Sequence, residues 1–231
     1  MQYHIKYNYL IKKTLSAFTL AEVLITLLII GVVSSLVIPA IIQDTQDAEL
    51  KVALKKTYST LSQANTKLLM DNAGSIKNLS TNSDNFKSLF LPYLNKIKSC
   101  NIASTEGCWH LANNWYNLNP NTSCGLNAGI LNQCSNKNNT TPGLRLSDGT
   151  LLTFQLWDGT CEDSTSFTGF KLCGFITVDI NGFKGPNTVG KDIFAIWISS
   201  NRISPVGYDD VTHGACETST GWGCTAQRLK E

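Results

Sequence analysis

Three groups of side chains in this chain of 231 residues have types and spacings that could do chemistry. Eight are cysteines: Cys100, Cys108, Cys124, Cys134, Cys161, Cys173, Cys216 and Cys224. None is spaced as Cys-x-x-Cys or stands in the Cys-His spacing of a zinc site, so the even count reads as a disulfide framework rather than a metal centre. Many connectivities are open, and pairing of sequence neighbours is the expectation: Cys100 with Cys108, Cys124 with Cys134, Cys161 with Cys173, and Cys216 with Cys224. The histidines form the second group. His110 and His213, the two beyond the first seventeen residues, sit in no Gly-x-Ser-x-Gly or His-Glu-x-x-His pattern, and no phosphate loop is present. The third group is the run DINGFKGPNTVGKD from Asp179 to Asp192, rich in oxygen-bearing and turn residues. A calcium loop of the EF-hand kind needs an acid or amide at its fifth place and glycine at its sixth. Phe183 and Lys184 stand there instead, which favours a Gly-Pro-Asn turn held by side-chain hydrogen bonds. Five tryptophans could also form a ring surface for sugars. The alternation in LLTFQLW and IFAIWI places Trp157 and Trp197 in a core, while Trp109, Trp115 and Trp222 fit either an exposed contact or a cover over a disulfide.

One further reactive group is out of place. Glu22 is the single charge in FTLAEVLITLLIIGVVSSLVIPAII, residues 18–42, a run longer than the roughly 20 apolar residues that cross a hydrocarbon core. A carboxylate in lipid is costly and usually has a partner and a role. Ahead of the run, residues 1–17 contain Lys6, Lys12 and Lys13 and no acid, and end in Ser16 and Ala17. The lysines favour an amino terminus inside and an ectodomain outside. A secretory signal would put its apolar stretch before the small-residue cleavage site; here it follows.

Basic leader, Ala17, Phe18-Thr19-Leu20-Ala21-Glu22 and an apolar run containing Pro39 together resemble the class III signal of type IV pilins and type II secretion pseudopilins. The chain departs from the usual pattern in having Ala17 where glycine precedes the cut, and Ala21 where a larger apolar residue is common. The resemblance implies that prepilin peptidase cuts between Ala17 and Phe18 and methylates the new terminus. It also implies an assembly role for Glu22, which would meet the Phe18 ammonium of its own or a neighbouring subunit. Pseudopilins bind calcium in a carboxy-terminal loop, and the likeness extends that possibility to Asp179, Asn181 and Asp192; no other cofactor is expected.

Elements that would position these groups can be read from periodicity. Leu54, Leu61 and Leu68 recur every seven residues, so residues 43–74 continue the membrane helix as an amphipathic half, stopping near Asn72 and Gly74. Phe86, Leu89, Phe90, Leu94 and Ile97 predict a second helix from Ser83 to Ile97, with Ser83 as its cap and Pro92 against its interior. Residues 111–142 contain ten asparagines and read as a long loop. Residues 144–157 read as a hairpin turning at Asp148-Gly149, followed by strands over 175–180 and 193–198. The expected fold is α+β: a leader over 1–17, a membrane half over 18–42, and a globular domain over 75–231 with a small antiparallel sheet and disulfide-stapled loops. The segments DGTLLTF, VDINGFKGPNTVGKDIF and GWGCTA add to the pseudopilin likeness.

The charge of +2 becomes about −1 without the leader lysines, leaving no basic footprint for nucleic acid. The expectation is a non-enzymatic subunit of a type IV pilus-like filament or type II secretion pseudopilus. Its partners would be prepilin peptidase, copies of itself or other pilin-like subunits, inner-membrane assembly machinery and lipid. It would sit in a bacterial inner membrane with its domain periplasmic or extracellular. The competing expectation is a signal-anchored adhesin or carbohydrate-binding module that does not polymerise.

Overall fold

The computed structural model describes residues 18–102, 104, 106–110, 115–119, 133–134 (backbone only), 141–162, 171–207, 216 and 220–231. Helix α1 spans Leu20–Asp71, a little longer than the fifty or so residues its periodicity suggests. It runs through Gly31 and Pro39 without a break in the helical assignment. Two compact units divide inside it, Met1–Thr45 and Gln46–Glu231.

In the first unit the described apolar side chains all face outward, from Phe18 at 86% exposed to Ile42 at 49%. The second unit uses the next stretch of α1 differently. Leu54, Thr57, Leu61, Ala64, Asn65 and Leu68 are buried at helical spacing against the sheet and α2. The end of α1 is chemically specific: Ala73 turns left-handed at φ 53°, Gly74 N donates to Leu69 O at 2.8 Å, and Asn72 Nδ2 donates to Leu68 O at 2.8 Å. These contacts satisfy carbonyls that the last helical turn leaves open.

Helix α2 covers Ser83–Phe90 and is shorter than its apolar pattern implies. Its cap is Asn82, whose Oδ1 accepts from Asn85 N at 2.9 Å, while Ser83 Oγ accepts from Leu156 N at 3.1 Å. Pro92 then enters a 3-10 turn at Leu91–Tyr93, and the chain leaves as strand β1, Lys96–Cys100. The helix expected up to Ile97 is thus corrected. Proline cannot donate within a helix and clashes with the preceding turn, and Ile97 lies on the strand, 61% exposed.

The short strands β2, Trp115–Tyr116, and β3, Gln133–Cys134, pair with each other. The main sheet is antiparallel in the order β1-β4-β5-β6-β7-β8, with β4 Gly143–Leu146, β5 Leu151–Leu156, β6 Gly174–Asp179, β7 Ile193–Ile198 and β8 Ile203–Pro205. The hairpin expected at Asp148-Gly149 joins β4 to β5. Gly149 takes φ 95°, Thr150 N donates to Asp148 Oδ1 at 3.2 Å, and the other Asp148 oxygen meets Lys56 Nζ of α1 at 2.8 Å. A final helix, α3, runs Cys224–Lys230. The fold is therefore α+β, a long amino-terminal helix packed with a small antiparallel sheet and stapled loops.

Strands β6 and β7 are buried along their whole length because both sheet faces are covered. Leu152, Phe154, Ile176, Val178, Phe194 and Ile196 meet the helices. Leu151, Phe175, Ile193, Ala195 and Trp197 meet a layer built from Trp109, Trp115, Val189 and Trp222. Three expected disulfides are present: Cys100–Cys108, Cys161–Cys173 and Cys216–Cys224. Of the expected Cys124–Cys134 pair, Cys124 lies outside the described residues and Cys134 is described by its backbone alone.

Candidate assembly site and buried carboxylates

The first candidate site is the start of α1. Thr19 precedes the helix and Glu22 is its third residue, and the two are bonded reciprocally. Thr19 N and Thr19 Oγ1 donate to Glu22 Oε2 at 2.8 and 2.9 Å, and Glu22 N donates to Thr19 Oγ1 at 3.2 Å. This is a capping box, in which a threonine and a glutamate three residues on close the open N–H groups of a helix start. In hydrocarbon such N–H groups have no water to turn to, so the closure counts for more there. Sequence reasoning singled out Glu22 but missed Thr19, although Thr-x-x-Glu before an apolar run is a readable signature. Among the described residues α1 is the one helix long and apolar enough to cross a membrane. Ala17 and the leader lysines lie outside the described residues, so the proposed cut has only its Phe18 side in view.

The second candidate is the Asp179–Asp192 segment. Its three proposed calcium ligands are brought together at the turn end of the β6–β7 hairpin, with Asp179 and Asp192 fully buried. Their oxygens already face donors. Asp179 Oδ1 accepts from Asn181 N at 3.1 Å, and its Oδ2 lies 2.7 Å from His110 Nε2. Asp192 accepts from Asn187 N at 2.7 Å and Thr188 N at 2.6 Å. Asn181 Nδ2 donates to Gly185 O at 3.1 Å, which leaves Asn181 Oδ1 as the oxygen of this set without a donor. Calcium takes six to eight oxygens, so the set does not fit the ion, and the hydrogen-bonded turn describes it. Among the described residues no three histidine, cysteine or acidic side chains form a metal cluster.

His110 is the residue that sequence patterns left without a role. It is buried, tied to Asp179, and flanked by Trp109 and Phe183 with ring centroids 5.4 and 5.5 Å away. Burial, helped by the nearby Asp192 charge, pushes the Asp179 carboxyl up to about 6, against the lowering effect of the His110 hydrogen bond. Burial raises Asp192 as well, opposed by the N–H groups of Thr188 and Asn187. A carboxyl raised on folding stabilises the fold most while it is protonated. That contribution is complete below the unfolded value near 4 and fades as pH rises through about 6. Asp179→Asn keeps the shape without the charge. It should raise thermal stability near pH 7.5 and flatten the melting profile between about pH 4 and 7, as followed by circular dichroism. A variant less stable than wild type at that pH would show that the ionised Asp179 carboxylate, hydrogen-bonded as described, holds the turn.

The tryptophans resolve differently from a sugar platform. Trp109, Trp115 and Trp222 are 2%, 3% and 1% exposed and stack edge to face, with Trp115 centred 6.0 Å from Trp109 and 6.1 Å from Trp222. Trp197 is core, as its alternation implies, and Trp157 packs on it at 5.4 Å. His213 lies outside the described residues.

No family model, curated protein or solved structure matches the chain.

Proposed function

We propose that the chain is a structural subunit of a type IV pilus-like filament or type II secretion pseudopilus, not an enzyme. Prepilin peptidase cuts it between Ala17 and Phe18 and methylates Phe18. The subunit waits in a bacterial inner membrane with its domain on the outer side, and assembly machinery draws it into a helical array of its own or related subunits. Protein secretion is the system favoured by the pseudopilin-like carboxy-terminal segments.

One observation carries this reading: from Leu20 to Ile42, α1 is an outward-facing apolar rod whose single charge closes the helix's own start. Lipid can cover such a rod before assembly and neighbouring rods can cover it afterwards, so lipid contacts exchange for helix contacts. Removal of the leader puts an ammonium on Phe18, about one turn from Glu22, where a carboxylate is the partner that a buried ammonium needs. Mass spectrometry of the mature amino terminus tests the proposal. N-methylated Phe18 is the expected result, and an intact leader in cells with active prepilin peptidase would count decisively against it.

A further inference from the structure

Among the described residues Lys87 is the one lysine or arginine that the core takes in, 1% exposed. It stands on α2, and its Nζ donates to Cys100 O at 2.7 Å and to Asn101 Oδ1 at 2.8 Å, where β1 ends. Its carboxylate partner, Asp84 Oδ1, is 3.4 Å away. Lys51 and Lys56, both far less buried, hold their carboxylates at 2.8 Å. The buried ammonium is thus closer to two neutral carbonyls than to its counter-charge, the reverse of what burying a charge asks for.

These side chains are also the parts of an amide exchange. Lysine only donates, so the Asn101 atom that faces Nζ is the amide oxygen, and the electrophilic Cγ lies one bond beyond that contact. Asp84 sits where it can carry protons between them: Oδ1 faces Nζ, and Oδ2 accepts at 3.3 Å from the N–H of Ile102, the residue after Asn101. Asn101 itself is exposed, so its amide has room to turn and a nitrogen released from it has a way out to water. An amine and an amide are inert toward each other when free in solution; holding them in contact is what makes such a reaction effective.

We propose that Lys87 and Asn101 become joined by a side-chain amide bond, with Asp84 as the general base and acid. Asp84 takes a proton from Nζ, and the freed electron pair attacks Cγ of Asn101. The Nζ–Cγ bond forms, and the Cγ–Nδ2 bond breaks as Asp84 returns the proton to the departing nitrogen. Of the three ammonium protons, one stays on the new amide and two leave on Nδ2, so an ammonium ion is released and no oxidant or other reactant is needed. The ion dilutes into solvent, which makes the exchange run one way. The product removes a charge from the core and ties α2 to the end of β1, beside the Cys100–Cys108 disulfide.

Peptide mapping by mass spectrometry tests this on the full chain, extracted in detergent, reduced so that no disulfide joins peptides, and digested. A branched peptide linking Lys87 to Asn101 is expected, lighter by one ammonia than its two parts together. Asn101→Ala should abolish it. Asp84→Asn keeps the shape of the carboxylate but cannot carry the proton, and should slow linkage about a hundredfold or more, leaving freshly made protein mostly unlinked. The wild-type map decides the matter even if a variant misfolds. Lys87 and Asn101 recovered in separate, unmodified peptides overturn the proposal, as does an ammonia loss that maps to Asn181-Gly182 instead. Linkage at the wild-type rate in Asp84→Asn overturns the role given to Asp84.

Discussion

Glu22→Ala should insert into the membrane as well as wild type and fail to enter filaments, with sheared yield at least about tenfold lower. Insertion is driven by the whole run from Phe18 to Ile42, where each apolar residue contributes a few tenths of a kcal/mol, and loss of one carboxylate from its end makes insertion easier. Assembly is another matter. The variant loses both halves of the Thr19–Glu22 box, worth about 1 kcal/mol at an ordinary helix start and more in lipid. On the proposed leader removal it would also leave the Phe18 ammonium unpaired, and breaking a buried ion pair costs about 3–5 kcal/mol. Either loss approaches or exceeds the 1.4 kcal/mol that makes a factor of ten. Glu22→Gln separates the two, because glutamine can close a capping box but carries no charge. If Glu22→Gln fails as Glu22→Ala does, the charge governs assembly; if it assembles, the cap does. Wild-type yield from both would remove Glu22 from the assembly mechanism.

Leu61→Ala should cost the second unit about 2–5 kcal/mol, read from urea unfolding of the detergent-solubilised chain followed by tryptophan fluorescence. Leu61 is fully buried midway along the stretch of α1 that meets the sheet, between Leu54 and Leu68, and shares a core with Phe90, Phe154 and Ile196. Truncation there removes apolar contact and leaves a cavity between a rigid helix and a sheet whose other face is also packed, so collapse is limited. Set against a total stability of about 5–15 kcal/mol for a domain of this kind, that is a large fraction. Val52→Ala, one exposed turn-pair away on the same helix, should change stability by less than about 0.5 kcal/mol. Equal effects at the two positions would mean that α1 is not packed as described.

Reading the sequence succeeded where one period dominates. The leucines at 54, 61 and 68 mark the buried side of α1, and the β-rich runs after residue 143 mark strands that join one antiparallel sheet. It failed where two signals competed. The apolar pattern through Ile97 is helical, but Pro92 breaks the hydrogen-bond ladder and pairing with β4 claims residues 96–100. Short elements with little periodicity, β8 and α3, were illegible for that reason. The tryptophan layer was also hidden: Trp222 is far in sequence from Trp109 and Trp115, and only the tertiary fold brings the three over β7. At the candidate sites, Glu22 was conspicuous as a lone charge in an apolar run. Its partner Thr19 was legible as a Thr-x-x-Glu signature but overlooked, whereas the His110–Asp179 contact, joining residues 69 apart, needed coordinates. Lys87 makes the same point in reverse. An ordinary surface residue by composition, it is 1% exposed, and its Nζ donates to Cys100 O at 2.7 Å, Asn101 Oδ1 at 2.8 Å and Asp84 Oδ1 at 3.4 Å.

The three disulfides among the described residues join cysteines only 8, 12 and 8 residues apart. Closing loops that short removes less chain entropy than closing long ones, so their contribution to equilibrium stability is at the lower end for such bonds. On the proposed reading, in which the domain is exported, their greater effect is on the order of events during that export. Partners so close in sequence would emerge one soon after the other, before distant cysteines had crossed, and an oxidant on the outer side would meet the correct pair first. Oxidation would then keep pace with translocation while the sheet is still incomplete, with little reshuffling left for an isomerase.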